Sequence, residues 1–593
     1  MEQNNNGFDR NQLMGFLLIG AILIFFGWWQ SKYVIEPEEA TETTSVTAVE
    51  TPEATATEVA ETVALVENTV LDTTSEVEVY ENKTLVLEND VLRLDITSMG
   101  AAFQRVQLKE FETYYNEELN FVHANQVLDL QLPDGTGVAS MPFNVVEANE
   151  RSIALAYQGT TVNITLPETG YELSYIVSGN TKQSGKPSIF WERKAMATEK
   201  GIKNERIYST IVYRDSEDQD VDKMSMRGGD DADDIDAVDW IAQKQHFFSG
   251  IVRPEGGFSK ATIATVNGED STVIKDYSVR AELNSTVSGA YTIPLHIYYG
   301  PNHYHTLKEV GHTYEEVIDF GWGIFGWIGR GVVVPIFNWL EGYGLGYGLI
   351  IFIMVLIIKM TLLPLTYTSY KSQAKMRVLK PQIDAIGEKF KGKDDMKKQQ
   401  ATMDLYREAG VNPLGGCIPM LVQMPILFAM FRFFPASIEL RGEAFLWATD
   451  LSTYDAIVSW SGHIPILSTL YGNHISLFTI LMTVSTLMYT WMNNQMTGAA
   501  NNSQFPQMKY MMYGMPLIFM FALNSFPAGL TYYYFLSNIV TFSQQFIIRK
   551  TIDDDAILAK IEAKKANPKG KKKSKFQQRL EEMQKQQQSK ARR

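Results

Sequence analysis

Residues 348–370 read GLIIFIMVLIIKMTLLPLTYTSY, an apolar run long enough to cross a bilayer that carries one lysine, Lys359, near its middle. A cation at that depth is expensive unless it reaches water or a partner, so it marks a functional position by default. The competing account is that its long side chain snorkels to headgroups a few residues away. Further apolar segments follow at 417–434, 475–492, 509–524 and 528–547, so that together with 346–367 they make residues 345–550 a five-helix membrane core. The segments 346–367, 417–434, 475–492 and 528–547 contain no Asp or Glu. Proton-coupled transporters commonly need a carboxylate in the membrane, and aspartyl intramembrane proteases need two. Lys359 therefore has no acidic counter-ion within those segments, and a wet, polar-lined cavity open to the cytoplasm would meet its need for solvation.

Other side chains suit such a groove. Thr361, Gln423, Tyr533, Tyr534, Ser537 and Asn538 are hydrogen-bonding groups within or bordering the apolar segments. In the last segment Tyr534, Ser537, Asn538 and Thr541 recur at three-to-four spacing, which draws one polar stripe on an apolar rod. Glue between packed helices would explain the same stripe. With Lys359 added, the candidate client groove is Lys359, Thr361, Gln423, Tyr533, Tyr534, Ser537 and Asn538. A groove of this kind lowers the cost of carrying polar groups of a client chain through hydrocarbon, with no covalent step. No catalytic residue, cofactor or metal is assigned.

Outward from the core, the mean hydropathy of −0.13 averages two unlike halves. The net charge of −15 hides a similar asymmetry: residues 33–82 hold 13 acids and no lysine or arginine, whereas 549–593 hold 15 basic residues against 6 acids. QLMGFLLIGAILIFFGWW at 12–29 reads as a retained anchor with an aromatic belt, within an anchor region 1–32. Residues 33–80 read as a disordered acidic tether. From 81 to 315, short alternating runs such as YELSYIVSG and YTIPLHIYYG predict an antiparallel β-sandwich. The run GGDDADDIDAVD at 228–239 lacks calcium-loop spacing and reads as a solvated loop. His303 and His305 fall on one strand face, but no cysteine or carboxylate pair accompanies them at ligand spacing. The single cysteine, Cys417, excludes an intrachain disulfide.

Residues 316–344, rich in Trp and Phe and interrupted by Pro335, read as an amphipathic helix lying in the membrane interface. Loop 371–411 reads as an amphipathic helical hairpin, and 551–593 as a basic tail. Residues 370–415 carry 10 lysines and arginines, while 435–474 carry only Arg441. The positive-inside rule then gives six spans with both termini cytoplasmic, residues 33–344 mainly outside and the hairpin inside.

Four stretches carry a resemblance: LIIKMTLLPLTYTSYKSQAKMRVLKPQI at 356–383, NPLGGCIPMLVQMPILFAMF at 412–431, FPAGLTYYYFLSNIVTFSQQ at 526–545 and WIAQKQHFFSG at 240–250. In them the chain resembles the YidC membrane protein insertases of bacteria with two membranes. The resemblance implies an inner-membrane insertase and chaperone that works alone on small clients and with the Sec translocon on larger ones. Its partners would be nascent membrane proteins, lipids and, through the basic tail, the ribosome, with no sequence-specific nucleic acid. It also implies a periplasmic β-sandwich and a cytoplasm-open groove whose cation is usually arginine. Here Lys359 takes that place, keeping the charge and losing the planar fork. The alternatives from other classes are a secondary transporter, or a periplasmic assembly factor for which the helices are only an anchor.

Overall fold

The computed structural model describes residues 81–566, apart from 124–125, 226–229, 270–271, 391–394, 412–417, 463, 466–467, 469–470 and 498–505. The expected anchor 1–32, tether 33–80 and tail beyond 566 lie outside the described residues. The chain divides into two units, Met1–Val317 and Ile318–Arg593.

The first unit is β-rich and every strand pairing is antiparallel. Thr84–Glu88, Leu92–Thr97, Ala102–Glu112 and Glu118–Val122 form a four-stranded meander. A thirteen-stranded sheet has eleven strands on one path, from Val127–Gln131 through Ser188–Met196, Val273–Leu283, Phe258–Asn267, Asp231–Lys244, Phe248–Pro254, Val287–Pro301, Glu172–Gly185, Thr160–Thr165 and Ser152–Tyr157 to Asn144–Ala148; the other two, Thr210–Asp215 and Val221–Lys223, branch from Asp231–Lys244. The small sheet packs on the large one through rings: Phe103 meets Tyr175 and Tyr299 at 6.0 and 5.8 Å, and Phe111 meets Phe248 at 5.2 Å. Alternation explains the burial, since residues two apart share a face; in Glu172–Gly185, Leu173, Tyr175 and Val177 are buried.

Several charged side chains lie inside this unit, Arg193, Glu205 and Lys275 among them. The Arg193 guanidinium donates to the Gln245 and Gln243 side chains at 2.7 and 3.1 Å and to the Phe121 carbonyl at 3.2 Å, with the Phe121 ring 4.0 Å from its centre. Neutral acceptors and a ring face thus replace a carboxylate. A short helix, α1 (Ile202–Tyr208), buries Glu205, which accepts hydrogen bonds from the Thr198 backbone N–H and hydroxyl.

Two local expectations are corrected. The aspartate run is no loop from Asp231 onward: Asp231–Lys244 is a strand paired with Phe258–Asn267. Ile235 and Val238 are buried in it while Asp233, Asp234 and Asp236 stay exposed, so the acids occupy a strand's wet face. His303 and His305 share no strand face either. Pro301 ends the strand, His303 caps helix α2 (Tyr304–Val310) and bonds Thr306 at 2.8 Å, and His305 lies within that helix.

The second unit is helical. It begins with α3 (Gly323–Glu341), which contains a π-helical turn at Gly329–Val333 just before Pro335. The wider turn lets a helix pass a residue that lacks an N–H and crowds the preceding turn. Next come α4 (Tyr347–Thr361) and α5 (Leu363–Val378), bent by 59° where the sequence reads as one continuous span over 346–367. Pro364 at the start of α5 causes the break, because it removes a donor to the last turn of α4. The chain continues as α6 (Lys380–Lys389), α7 (Asp395–Ala409), α8 (Ile418–Ala436), α9 (Leu477–Thr497), α10 (Pro506–Leu523), α11 (Ala528–Thr551) and α12 (Asp554–Ala566).

The turn into α9 is fixed by Asp455, whose carboxylate accepts the Leu477 and Phe478 N–H groups and the Trp447 indole. That arrangement satisfies donors orphaned at a helix start. Among the described residues α3 alone is long and apolar enough to cross a membrane by length and composition, and the bent pair α4–α5 passes together. At 1.5 Å per residue α9 and α11 reach about 30 Å or more, and their polar residues lower their apolarity.

Candidate functional site

Helix α11 is the hub of the helical unit, packing against α4, α5, α8 and α9. Its first half, AGLTYYYFLSN, is buried from Ala528 to Tyr533 and again at Ser537 and half-buried at the other positions, so its polar side chains are turned largely toward other helices. Lys359 sits in the last turn of α4 and is 5% exposed. Its backbone carbonyl, near the helix end where acceptors go short, takes a 3.2 Å hydrogen bond from the Gln544 amide of α11. Among the described residues its ammonium makes no ion pair or hydrogen bond.

The other expected groove residues do not all play one part. Tyr534 donates to the Leu427 carbonyl of α8 at 3.2 Å, and the Asn538 amide donates to Ser485 and Thr486 of α9 at 3.0 and 2.8 Å. These two hold helices together. Thr361 is exposed and returns its hydroxyl to the Ile357 carbonyl of its own helix at 2.8 Å, so it does not join the cluster. Tyr533 is buried with its ring 5.5 Å from Phe434. Ser537 is buried one turn before Thr541, whose hydroxyl bonds the Ser537 carbonyl at 2.7 Å. Gln423 on α8 is half-buried and makes no hydrogen bond among the described residues.

The structure adds residues that the periodicity argument passed over. Gln545, 2% exposed on α11, extends the stripe of Asn538 and Thr541 by one more turn. Ser485 and Thr486 became visible only through their partner, since isolated hydroxyls in an apolar helix usually bond their own backbone. Arg432, inside the expected segment 417–434, pairs with Asp319 at 2.9 Å just ahead of α3. The sequence reading did not single out Arg432, whose acidic partner lies 113 positions away.

A family model described as the 60Kd inner membrane protein matches residues 339–555, and one described as the YidC periplasmic domain matches 154–334. The chain is 37% identical to the membrane protein insertase YidC of Parabacteroides distasonis, over 98% of each. The chain belongs to the YidC membrane protein insertases. The insertase YidC of Bacteroides fragilis is 34% identical, again over 98% of each chain. A crystal structure titled as active YidC insertase with the first transmembrane domain resolved aligns with 78% of this chain and 92% of its own, at 20% identity and a TM-score of 0.33. This insertase is thus an inner-membrane, multi-span protein with a helical membrane region and a large β-rich extracytoplasmic domain, and it is not an enzyme.

Proposed function

We propose that this insertase moves apolar client segments from the cytoplasm into the inner membrane through a cytoplasm-open groove bordered by α4, α8, α9 and α11. The observation that carries the reading is Lys359: a lysine almost fully buried, on a helix packed against the polar hub, with no acid beside it among the described residues. A charge so placed is costly unless water or a client's polar group reaches it. Gln423, Tyr533 and Ser537 line the same groove in this reading, whereas Tyr534 and Asn538 mainly hold its walls. Clients would pass polar backbone and side chains along the wet face and leave sideways into lipid.

The finer topology belongs to the same proposal. It comprises six spans, both termini cytoplasmic, a periplasmic β-sandwich, α3 floating in the interface and a cytoplasmic hairpin. The exposed Trp322, Trp327, Trp339 and Tyr343 suit α3 to the headgroup region. The insertase would act alone on small clients and beside the Sec translocon on large ones, with the basic tail facing the ribosome.

The test is insertion of a small single-spanning client into liposomes that contain only this purified protein. Lys359→Ala is expected to lose most of the activity, about tenfold, while Lys359→Arg keeps it. Full activity in Lys359→Ala would show a snorkelling lysine and end the groove reading.

A further inference from the structure

The first part of the expected basic tail is a docked helix. Asp553 accepts the N–H groups of Asp555 and Ala556 at 3.0 Å each, a side-chain cap that starts α12. Two independent contacts then seat α12 on the hairpin. Arg377 of α5 bonds both carboxylate oxygens of Asp554 at 2.7 Å. One turn further on, Ile557 and Ile561 enter an apolar cluster with Ala374, Leu379, Ala409 and Val411. Tyr406 and Ile383 close its sides. The cluster draws on α5, on the α5–α6 joint, on the end of α7 and on α12. Without α12, a pair of short charged helices would present this apolar floor to water, and such helices are marginal by themselves.

We propose that α12 is a clasp that holds the cytoplasmic hairpin at its base, so that the hairpin's order depends on residues 552–561. The basic run beyond Ala566 is then tethered at the hairpin's base and not simply at the end of α11. Apolar burial supplies most of the hold and the ion pair sets the register. Arg377 and Asp554 are 23% and 45% exposed, and an ion pair that open to solvent contributes modestly.

The experiment is hydrogen exchange of the full-length protein in lipid nanodiscs, read on peptides spanning 374–411. No client is present, so the result is independent of the groove reading. Truncation after 566 is expected to leave hairpin exchange within twofold of the intact chain. Truncation after 550, and Ile557→Asp with Ile561→Asp, should each speed it at least tenfold. Arg377→Asp and Asp554→Arg should each speed it severalfold, and the two together should recover most of the protection. The clasp is overturned if truncation after 550 leaves the hairpin unchanged, or if truncation after 566 has the same effect as truncation after 550. A matching rise in 127–301 also counts against it, because that reports loosening of the whole chain.

Discussion

The Arg432–Asp319 pair offers the sharpest energetic test of how the aromatic helix α3 is fixed. The charges meet at 2.9 Å, and the side chains are 29% and 16% exposed. At an effective dielectric of about 20, charge centres ~4 Å apart attract by ~4 kcal/mol. Desolvation of both partners cancels a large part of this, and partial exposure screens more, which leaves a net coupling of about 1–2 kcal/mol. Removing one partner costs more than the coupling, because the survivor stays half-buried: Arg432→Gln or Asp319→Asn should each destabilise by about 2–3 kcal/mol. The double variant should lose only about 1 kcal/mol beyond either single one, so that the cycle closes on that coupling. The assay is a double-mutant cycle on unfolding in mixed detergent micelles, followed by helical circular dichroism. A coupling below about 0.5 kcal/mol, the scatter expected for independent sites, would refute the argument and leave Arg432 a surface charge.

Two further outcomes follow from local chemistry. Burial, with Glu199 nearby, pushes the Glu205 carboxyl up to about 8. The Thr198 hydroxyl lies within 2.8 and 2.9 Å of oxygens on both acids and has one proton to give, which fits a carboxyl that keeps its own. The unfolded carboxyl ionises near 4.5. Between these values unfolding releases a proton, so stability is full at acid pH and falls as pH rises, by up to about 1.4 kcal/mol per pH unit. Thermal unfolding of the β-rich unit from pH 5 to 8.5 should show that slope, and Glu205→Gln should flatten it; parallel profiles would exclude the buried proton. Gly348 in the first turn of α4 lies against the Phe445 ring so closely that a Cβ would overlap it. Gly348→Ala should therefore lower stability by about 1–3 kcal/mol, measured in the same detergent titration. An unchanged midpoint would mean that Phe445 can swing away freely.

The membrane character, the β-rich domain and the family were legible because each is written in local pattern. Period-two alternation needs only a handful of neighbouring residues, and an apolar run announces itself. The bend between α4 and α5 was half-legible: Pro364 was visible, but 59° is set by what the two helices pack against. The acidic strand at 231–244 was misread because charge density outweighed Ile235 and Val238, the two residues that set its phase. In the candidate site, Lys359 and the stripe on α11 could be found by spacing. Which stripe residues hold walls and which remain open could not, since Asn538 is defined by hydroxyls more than 50 positions away. The docking of α12 was hidden for the same reason: Ile557 and Ile561 look like stray apolar residues in a basic tail until Ala374 and Leu379 are placed beside them.

The strand order of the large sheet has a kinetic consequence. Its terminal strands, Val127–Gln131 and Asn144–Ala148, are separated in sequence only by 132–143, yet they sit at opposite ends of the hydrogen-bonded path. All the strands between them come from residues 152–301, and Val287–Pro301 lies in the middle, pairing Phe248–Pro254 with Glu172–Gly185. A chain emerging from its N-terminal end can zip up the hairpins from 144 to 185, but it cannot join the two halves until residue 301 has arrived. Such long-range pairing is slow. During the wait the long strand Glu172–Gly185 offers an open edge, the kind of surface that recruits stray strands. In the finished sheet the ends of that path pass instead to two five-residue strands, and its side branch ends in the three-residue Val221–Lys223, all too short to template much. The domain is therefore most vulnerable to self-association during its own synthesis, and that vulnerability ends when its last strand closes the gap.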